Sequence, residues 1–283
     1  MKTVTILPFG IKNSDDERLS GIISVCRECG FDVAMLSTLT HPDIADGVII
    51  CDVTPPESEL VISVGGDGSV LYAAACARPH GIPVLGVNTG KVGYLAELSD
   101  RELERLPDIL TGKFEIEERM MLEAEVTVNG EPYLKTEPVL NDIVIEKSSV
   151  TKIASIELFC GGDNAGMFDA DGVIFATPTG STAYSMSAGG PLIDPSIECI
   201  CVTPICPHSV MARPSIYSSR SVIECRAGSW RDSKLVLVRD GLQTVPLPDG
   251  AVVTVRASKE KTRLISVREG GFTGVFRSKM TGR

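Results

Sequence analysis

A single change of rhythm constrains this chain more than any other feature. Up to about residue 98, short apolar runs alternate with helical segments; from about residue 115, apolar residues recur at every second position. In the first part, Val4–Pro8, Phe31–Leu36, Leu60–Val64 and Ile82–Val87 read as strands. Ser14-Asp15-Asp16-Glu17 has the form of a capping box, opening a helix that Gly30 can close. Ser69–Ala77 is a small-residue helix stopped at Arg78-Pro79, and Ser99-Asp100-Arg101-Glu102 is a second capping box opening a helix to about Leu110. Strand, helix and strand in repetition need crossover connections, so this part is expected to be α/β, Rossmann-like, with a mostly parallel sheet.

In the second part, Ala124, Val126 and Val128 alternate with Glu125, Thr127 and Asn129, and Asn129-Gly130 is a hairpin turn signal. Leu140–Ile145, Ile153–Phe159, Gly172–Ala176, Ile200–Pro204, Leu235–Val238, Val252–Val255 and Leu264–Val267 are further short strands between turn residues. That pattern predicts an all-β, sandwich-like domain. A length of 283 residues suits two domains. Their expected extents are 1–110 for the α/β domain and 111–265 for the β-rich one, with 266–283 packing back on the first.

Charge narrows the partners. Lys plus Arg number 27 against 37 Asp plus Glu, a net −10. A protein whose main partner is nucleic acid or an anionic membrane needs a basic footprint, which this chain lacks. A small phosphorylated ligand remains compatible, because backbone amides and a metal ion can hold it. No run approaches the ~18 apolar residues of a membrane span, and Met1 to Gly10 lacks a signal peptide's apolar run. A cytoplasmic protein is expected. Of nine scattered cysteines, Cys26 and Cys29 form a C-x-x-C, but they continue the helical spacing of Leu19, Ile22 and Ile23. Core thiols are expected there, and no metal site built from side chains is expected anywhere.

Three groups of residues carry chemistry. Gly65-Gly66-Asp67-Gly68-Ser69 joins a strand to a helix. Glycines at such a turn let phosphates approach the backbone, and the helix N-terminus favours anions. No Lys follows, so this is not the common phosphate loop. Instead the carboxylate of Asp67 stands where phosphates would sit, either as a helix cap or as the acceptor of a proton from an attacking hydroxyl. Asp171–Pro191 leads a strand into a loop dense in hydroxyls and small residues, where Tyr184 offers a face to a base. The alternative is a tightly packed turn with a core Tyr. Asn141-Asp142 can hold a ribose diol or form an ordinary turn.

Together these residues resemble the NAD kinase family over about 60–250. Gly65–Ser69 is similar to its GGDGT motif, Gly86–Leu95 to GVN-x-G-x-LGFL, Thr177–Pro191 to TPTGSTAYSLSAGGP, and Thr203–Ser209 to TPICPHS, with Arg213-Pro214 following. The resemblance implies ATP- and metal-dependent phosphorylation of the adenosine 2′-hydroxyl of NAD to give NADP, with Mg²⁺ the expected cation. It implies Asp67 as general base and Gly68 beside it in the nucleotide site. It implies Asn141 and Asp142 on a ribose, and Asp171 on the nicotinamide end or a bridging group. Thr182, Ala183, Tyr184, Ser185, Met186 and Ser187 would line the adenine and ribose. Lys152 and Asp169 fall at further positions near the ligand. A homodimer or homotetramer is implied as well.

The chain departs from the family pattern at several places. Ser69 replaces Thr and keeps the hydroxyl. Asp142 replaces Glu, one methylene shorter, and Asp169 stands where some relatives carry a basic residue. Leu242 separates Gln243 from Asp240-Gly241. Lipid kinases and phosphofructokinases share a similar GGDG loop but not Thr177–Pro191 in this form. A non-catalytic NAD-sensing module and a purely structural module with a redox C-x-x-C are the remaining readings.

Overall fold

The computed structural model describes residues 2–10, 16–40, 47–90, 93–148, 153–229 and 234–267, together with 272, 274, 276 and 277. The chain divides into two units, residues 1–118 with 262–283, and residues 119–261.

Apart from the exposed edge strand over Ile49–Cys51, the first unit is built on largely apolar runs that are mostly buried on both faces. Its strands are β1 (Lys2–Leu7), β2 (Phe31–Leu36), β3 (Ile49–Cys51), β4 (Ser58–Gly65), β5 (Val84–Asn88) and β6 (Leu98–Ser99). The hydrogen-bonded order β3-β2-β1-β4-β5 is parallel throughout, and β6 adds to β5. The order reverses between β1 and β4, which makes their carboxyl ends the place where an open α/β sheet leaves a crevice. Helix α1 (Asp16–Glu28) presents Leu19, Ile22, Ile23 and Cys26 to Val4, Ile6, Val33 and Ile62 of the sheet. Each such side chain, fully buried, stabilises the fold by ~1.5–3 kcal/mol. Cys26 is inside this core, where burial, helped by Cys29, pushes its thiol up to about 12. The Ser14 capping box lies outside the described residues.

Helix α2 (Asp67–Ala77) begins two residues before the sequence pattern indicates. Gly66 is its N-cap, and Asp67 and Gly68 adopt helical dihedrals in a first turn whose amides need no partner within the helix. The Ser99 capping box forms as expected, Ser99 N–H donating to Glu102 Oε2 at 3.0 Å. It opens a 3₁₀ stretch over Asp100–Arg105, succeeded by the short α3 (Leu106–Leu110), with Pro107 tolerated in its first turn.

The second unit holds two antiparallel sheets. One runs β14 (Ser215–Ser218), β13 (Cys199–Ile205), β12 (Gly172–Ala176), β9 (Asp142–Lys147), β16 (Leu235–Arg239) and β17 (Gln243–Leu247). The other uses β11 (Asp163–Ala170), β10 (Ala154–Cys160), β15 (Ile223–Ser229) and β18 (Ala251–Ser266), extended by β7 (Glu115–Val128) and β8 (Glu131–Lys135). Alternation decides the faces. Ile143, Ile145, Val173, Phe175 and Leu237 of the first sheet meet Leu122, Ile156, Leu158, Cys225 and Val253 of the second in one core, which is the packing of a sandwich.

Asn129-Gly130 makes the β7–β8 turn with both φ angles positive, at 53° and 84°. Val252–Val255 and Leu264–Ser266, expected in two separate strands, belong to the single strand β18, and Val267 follows its end. Of this strand, residues 251–261 lie in the second unit and 262–266 in the first, where Leu264 pairs with Val84 of β5. Among the described residues no helix is long and apolar enough to cross a membrane.

Candidate active site

In the first unit the turn after β4 brings Asp67 to the point where strand order reverses. Gly65 has φ +145°, and a Cβ there would lie 2.1 Å from Ser69 Oγ and 3.0 Å from the carbonyl oxygen of Phe9, so no side chain fits. Ser69 Oγ donates to that same Phe9 carbonyl at 2.7 Å, tying the turn to the segment after β1. The hydroxyl retained in place of Thr therefore has a structural partner. Phe9 stacks on Tyr72 of α2, with centroids 4.5 Å apart. The Asp67 carboxylate reaches to another loop: Tyr94 N–H donates to Oδ2 at 2.8 Å and Leu95 N–H to Oδ1 at 3.1 Å. Asp67 is half-buried and Gly68 is exposed. A fixed, partly accessible carboxylate beside a helix N-terminus can accept a proton or approach a phosphate-bound cation.

In the second unit, period-two alternation aims Asp142, Val144 and Glu146 of β9 at one pocket. Asn141, Ala183, Tyr184, Val238, Asp240 and Gly241 complete its wall, around about 200 Å³. Asp240 sits in the β16–β17 turn with φ +49°, followed by Gly241 at +64°. Its carboxylate accepts the main-chain N–H groups of Leu140 (2.9 Å), Asn141 (2.7 Å) and Asp142 (3.1 Å), while its own N–H donates to the Asp142 carbonyl at 3.0 Å. Burial raises the Asp240 carboxyl in spite of those three donors. Asp142 is 4% exposed, and burial together with the charge of Asp240 pushes its carboxyl up to about 7. Glu146 is raised by burial and by Asp171. Asp171 itself pairs with Lys147 at 2.5 Å.

The loop between β12 and β13 folds on its own hydroxyls. Thr177 Oγ1 donates to the Leu140 carbonyl at 2.6 Å, Ser181 Oγ to the Pro178 carbonyl at 2.6 Å, and Thr182 Oγ1 to the Thr179 carbonyl at 3.0 Å. Ser185 Oγ is buried 2.9 Å from Thr203 Oγ1. Gly180 is required because a Cβ would lie 2.0 Å from the Asn141 carbonyl oxygen. Hydroxyls that the sequence offers to a sugar or phosphate are thus partnered within the protein. The short helix α4 (Tyr184–Ser187) exposes Tyr184, Met186 and Ser187. Burial raises the Tyr184 phenol, with Glu146, Cys206, Asp171 and Asp142 adding to it.

Asn141, Asp142, Ala183 and Tyr184 therefore line one pocket, and Asp171 lies at its acidic margin. Asp169 is exposed near the end of β11, where its carbonyl accepts the His208 N–H at 2.9 Å. Lys152 lies outside the described residues. Two pocket acids, Glu146 and Asp240, were not among the sequence candidates. Glu146 is signalled by its even spacing from Asp142, and Asp240 by an Asp-Gly turn that requires positive φ. Among the described residues no three or more His, Cys, Asp or Glu side chains are grouped to hold a metal.

The ATP-NAD kinase N-terminal domain model matches residues 28–115 and the C-terminal domain model residues 140–267. The NAD kinase of Natranaerobius thermophilus is 37% identical over all of this chain and 99% of that protein. That of Caldanaerobacter subterraneus subsp. tengcongensis is 40% identical over 80% of each. Among solved structures, yeast NADH kinase complexed with NADH superposes with a TM-score of 0.86 at 23% identity, over 100% of this chain and 88% of that one. An NAD kinase from Archaeoglobus fulgidus in complex with ATP gives 0.75 at 24% identity, over 99% of both. The α/β unit with its GGDG turn and the β unit with its acidic pocket are those of a two-domain phosphotransferase. The chain belongs to the ATP-NAD kinase family.

Proposed function

We propose that the protein transfers the γ-phosphoryl group of ATP to the 2′-hydroxyl of the adenosine ribose of NAD, giving NADP and ADP. The observation that carries this reading is the Asp67 carboxylate, fixed by two main-chain amides at the GGDG turn where the parallel sheet changes direction. In this role Asp67 takes the proton from the 2′-hydroxyl as its oxygen bonds to phosphorus and the bond to the ADP oxygen breaks. Gly68, exposed and without a side chain, leaves the nucleotide room beside it.

The pocket in the second unit holds the dinucleotide. Asn141 and Asp142 bond a ribose, the exposed side chain of Tyr184 lies against the base, and Thr182, Ala183, Ser185, Met186 and Ser187 shape that wall, the buried Ser185 hydroxyl through packing. Asp171, steadied by Lys147, serves the nicotinamide end or a bridging group. Asp169 and Lys152, the latter outside the described residues, are further ligand-side candidates in this reading. The divalent cation, Mg²⁺ in this reading, would be held by the ATP phosphates with the Asp67 carboxylate beside them, and would supply positive charge to offset that developing on the transferred group. We further propose functional domains of 1–110 and 111–265 followed by a C-terminal segment 266–283, most of which lies outside the described residues, a cytoplasmic location and a homodimer or homotetramer.

The test is incubation with NAD, ATP and Mg²⁺ and direct detection of NADP, with NADH, polyphosphate and a diacylglycerol in parallel. NADP formation that requires ATP is expected. Phosphorylation of the diacylglycerol but not NAD, or NAD binding without turnover, would overturn the reading.

A further inference from the structure

Gly93 lies in the Gly86–Leu95 segment, is buried, and precedes the two residues whose amides bind Asp67. Its φ falls outside the left-handed region, so its backbone does not call for glycine. Space does. A Cβ built on Gly93 would lie 1.8 Å from Asp67 Oδ1, 2.4 Å from Cγ and 2.7 Å from Oδ2. All three carboxyl atoms occupy the volume that any other residue at 93 would fill. Gly65, Gly66 and Gly68 shape the turn around Asp67, but none of them bounds its carboxylate in this way.

Resting on the reading of Asp67 as the base, we infer that Gly93 is its positioning residue. The missing side chain lets the carboxylate lie flat against the main chain and take both the Tyr94 and the Leu95 amide. Two donors, one on each oxygen, fix the torsions of a side chain that would otherwise be free at the start of a helix and attracted to that helix's own unpaired amides. A methyl at 93 displaces the carboxylate, breaks both bonds and leaves the acid in the wrong place, while the backbone and the pocket around Asp142 are untouched. Misplacement of about 1 Å is enough to cost ~10²-fold in rate.

The test is a double-mutant cycle of Gly93→Ala and Asp67→Asn, with kcat, KM for NAD, thermal melting and amide hydrogen exchange for each variant. Gly93→Ala alone should lower kcat by ~10², leave KM for NAD within about threefold, and speed exchange at the Tyr94 and Leu95 amides. Added to Asp67→Asn, it should lower kcat no further, because groups acting as one unit are not additive. Wild-type kcat in Gly93→Ala, a further tenfold loss in the double variant (about 1.4 kcal/mol of independent effect), or unchanged exchange would overturn the inference. If Asp67→Asn itself turns over normally, the base reading fails, and the amide exchange still decides whether Gly93 sets the carboxylate. Should Gly93→Ala not fold, Asp67→Ala keeps the glycine and must by itself release the Tyr94 and Leu95 amides to exchange.

Discussion

Asp67 in the first unit and Asp240 in the second each accept more than one main-chain amide, and their surroundings differ. Asp67 has two donors from a loop distant in sequence, remains partly accessible, and needs cleared space at Gly93. Asp240 has three donors from consecutive residues, is held in a turn at positive φ, and faces a second buried acid, Asp142. The first arrangement orients one group without crowding it with charge. The second fixes a stretch of backbone, Leu140 to Asp142, and leaves two acids repelling each other. Amides aimed at a carboxylate can therefore serve either the carboxylate or the chain that supplies them, and the neighbours show which.

The contrast can be broken by mutation. The largest effect is expected from Asp67→Asn, which is nearly isosteric but cannot take the proton. Its kcat should fall by ~10²–10⁴ with KM for NAD little changed; retention of more than about a tenth of wild-type turnover is incompatible with that minimum and would make Asp67 a purely structural group. Asp240→Ala should act on stability instead. Three amides lose their acceptor, at ~1–3 kcal/mol for each one left buried and unpaired, so chemical denaturation should show a loss of about 3 kcal/mol or more. Unchanged stability would mean that water replaces the carboxylate.

Asp142 links the two behaviours to pH. Its carboxyl, near 3.8 in an unfolded chain, stands at about 7 in the folded one, so the native state retains a proton that the unfolded state gives up. That contribution to stability is complete below about pH 4 and disappears as pH rises through about 7. Asp142→Asn abolishes the repulsion, and its unfolding free energy should lose about 1–3 kcal/mol of the wild-type decline across this window. Parallel curves for the two proteins would remove the acid pair. Asp142→Ala should in addition raise KM for NAD by up to about tenfold, the loss of a hydrogen bond to the ribose. The smallest effect is assigned to Tyr184→Ala. Tyr184 is 42% exposed, so affinity for NAD measured by titration should weaken by about 1 kcal/mol, the low end for a stacked base, with melting unchanged.

Much of this was legible in the sequence where one physical cause dominates. Gly172–Ala176 is a strand buried throughout, and its bounds in the structure are those its apolar run suggests. Asn129-Gly130 turns because only such residues accept positive φ twice. Asp163–Ala170 was not legible: its polar, glycine-containing run is an edge strand with most residues exposed, and only pairing with β10 makes it regular. The site divides in the same way. Asp67 and Asn141-Asp142 announce themselves by local motif, whereas Glu146 and Asp240 reach the pocket through sheet register and a distant turn. The internal bonding of Thr177, Ser181, Thr182 and Ser185 was hidden too, since a hydroxyl's partner is chosen by tertiary packing.

The path of β18 bears on how the chain is made. Residues 262–267 close the first unit: Leu264 pairs with Val84, Ile265 is fully buried in that core, and Val267 bonds Glu97 and Arg105. A ribosome emits residues 1–118 first, yet that unit lacks its last strand until everything from 119 to 261 has emerged. The second unit is continuous and can fold as soon as it is released. The first must wait with the β5 edge incomplete, a contact of high sequence separation whose closure is slow in an unfolded chain and faster once the intervening segment is compact. During synthesis the vulnerable species is thus a nascent first unit with an unpaired edge, and early folding of the second is what shortens its exposure.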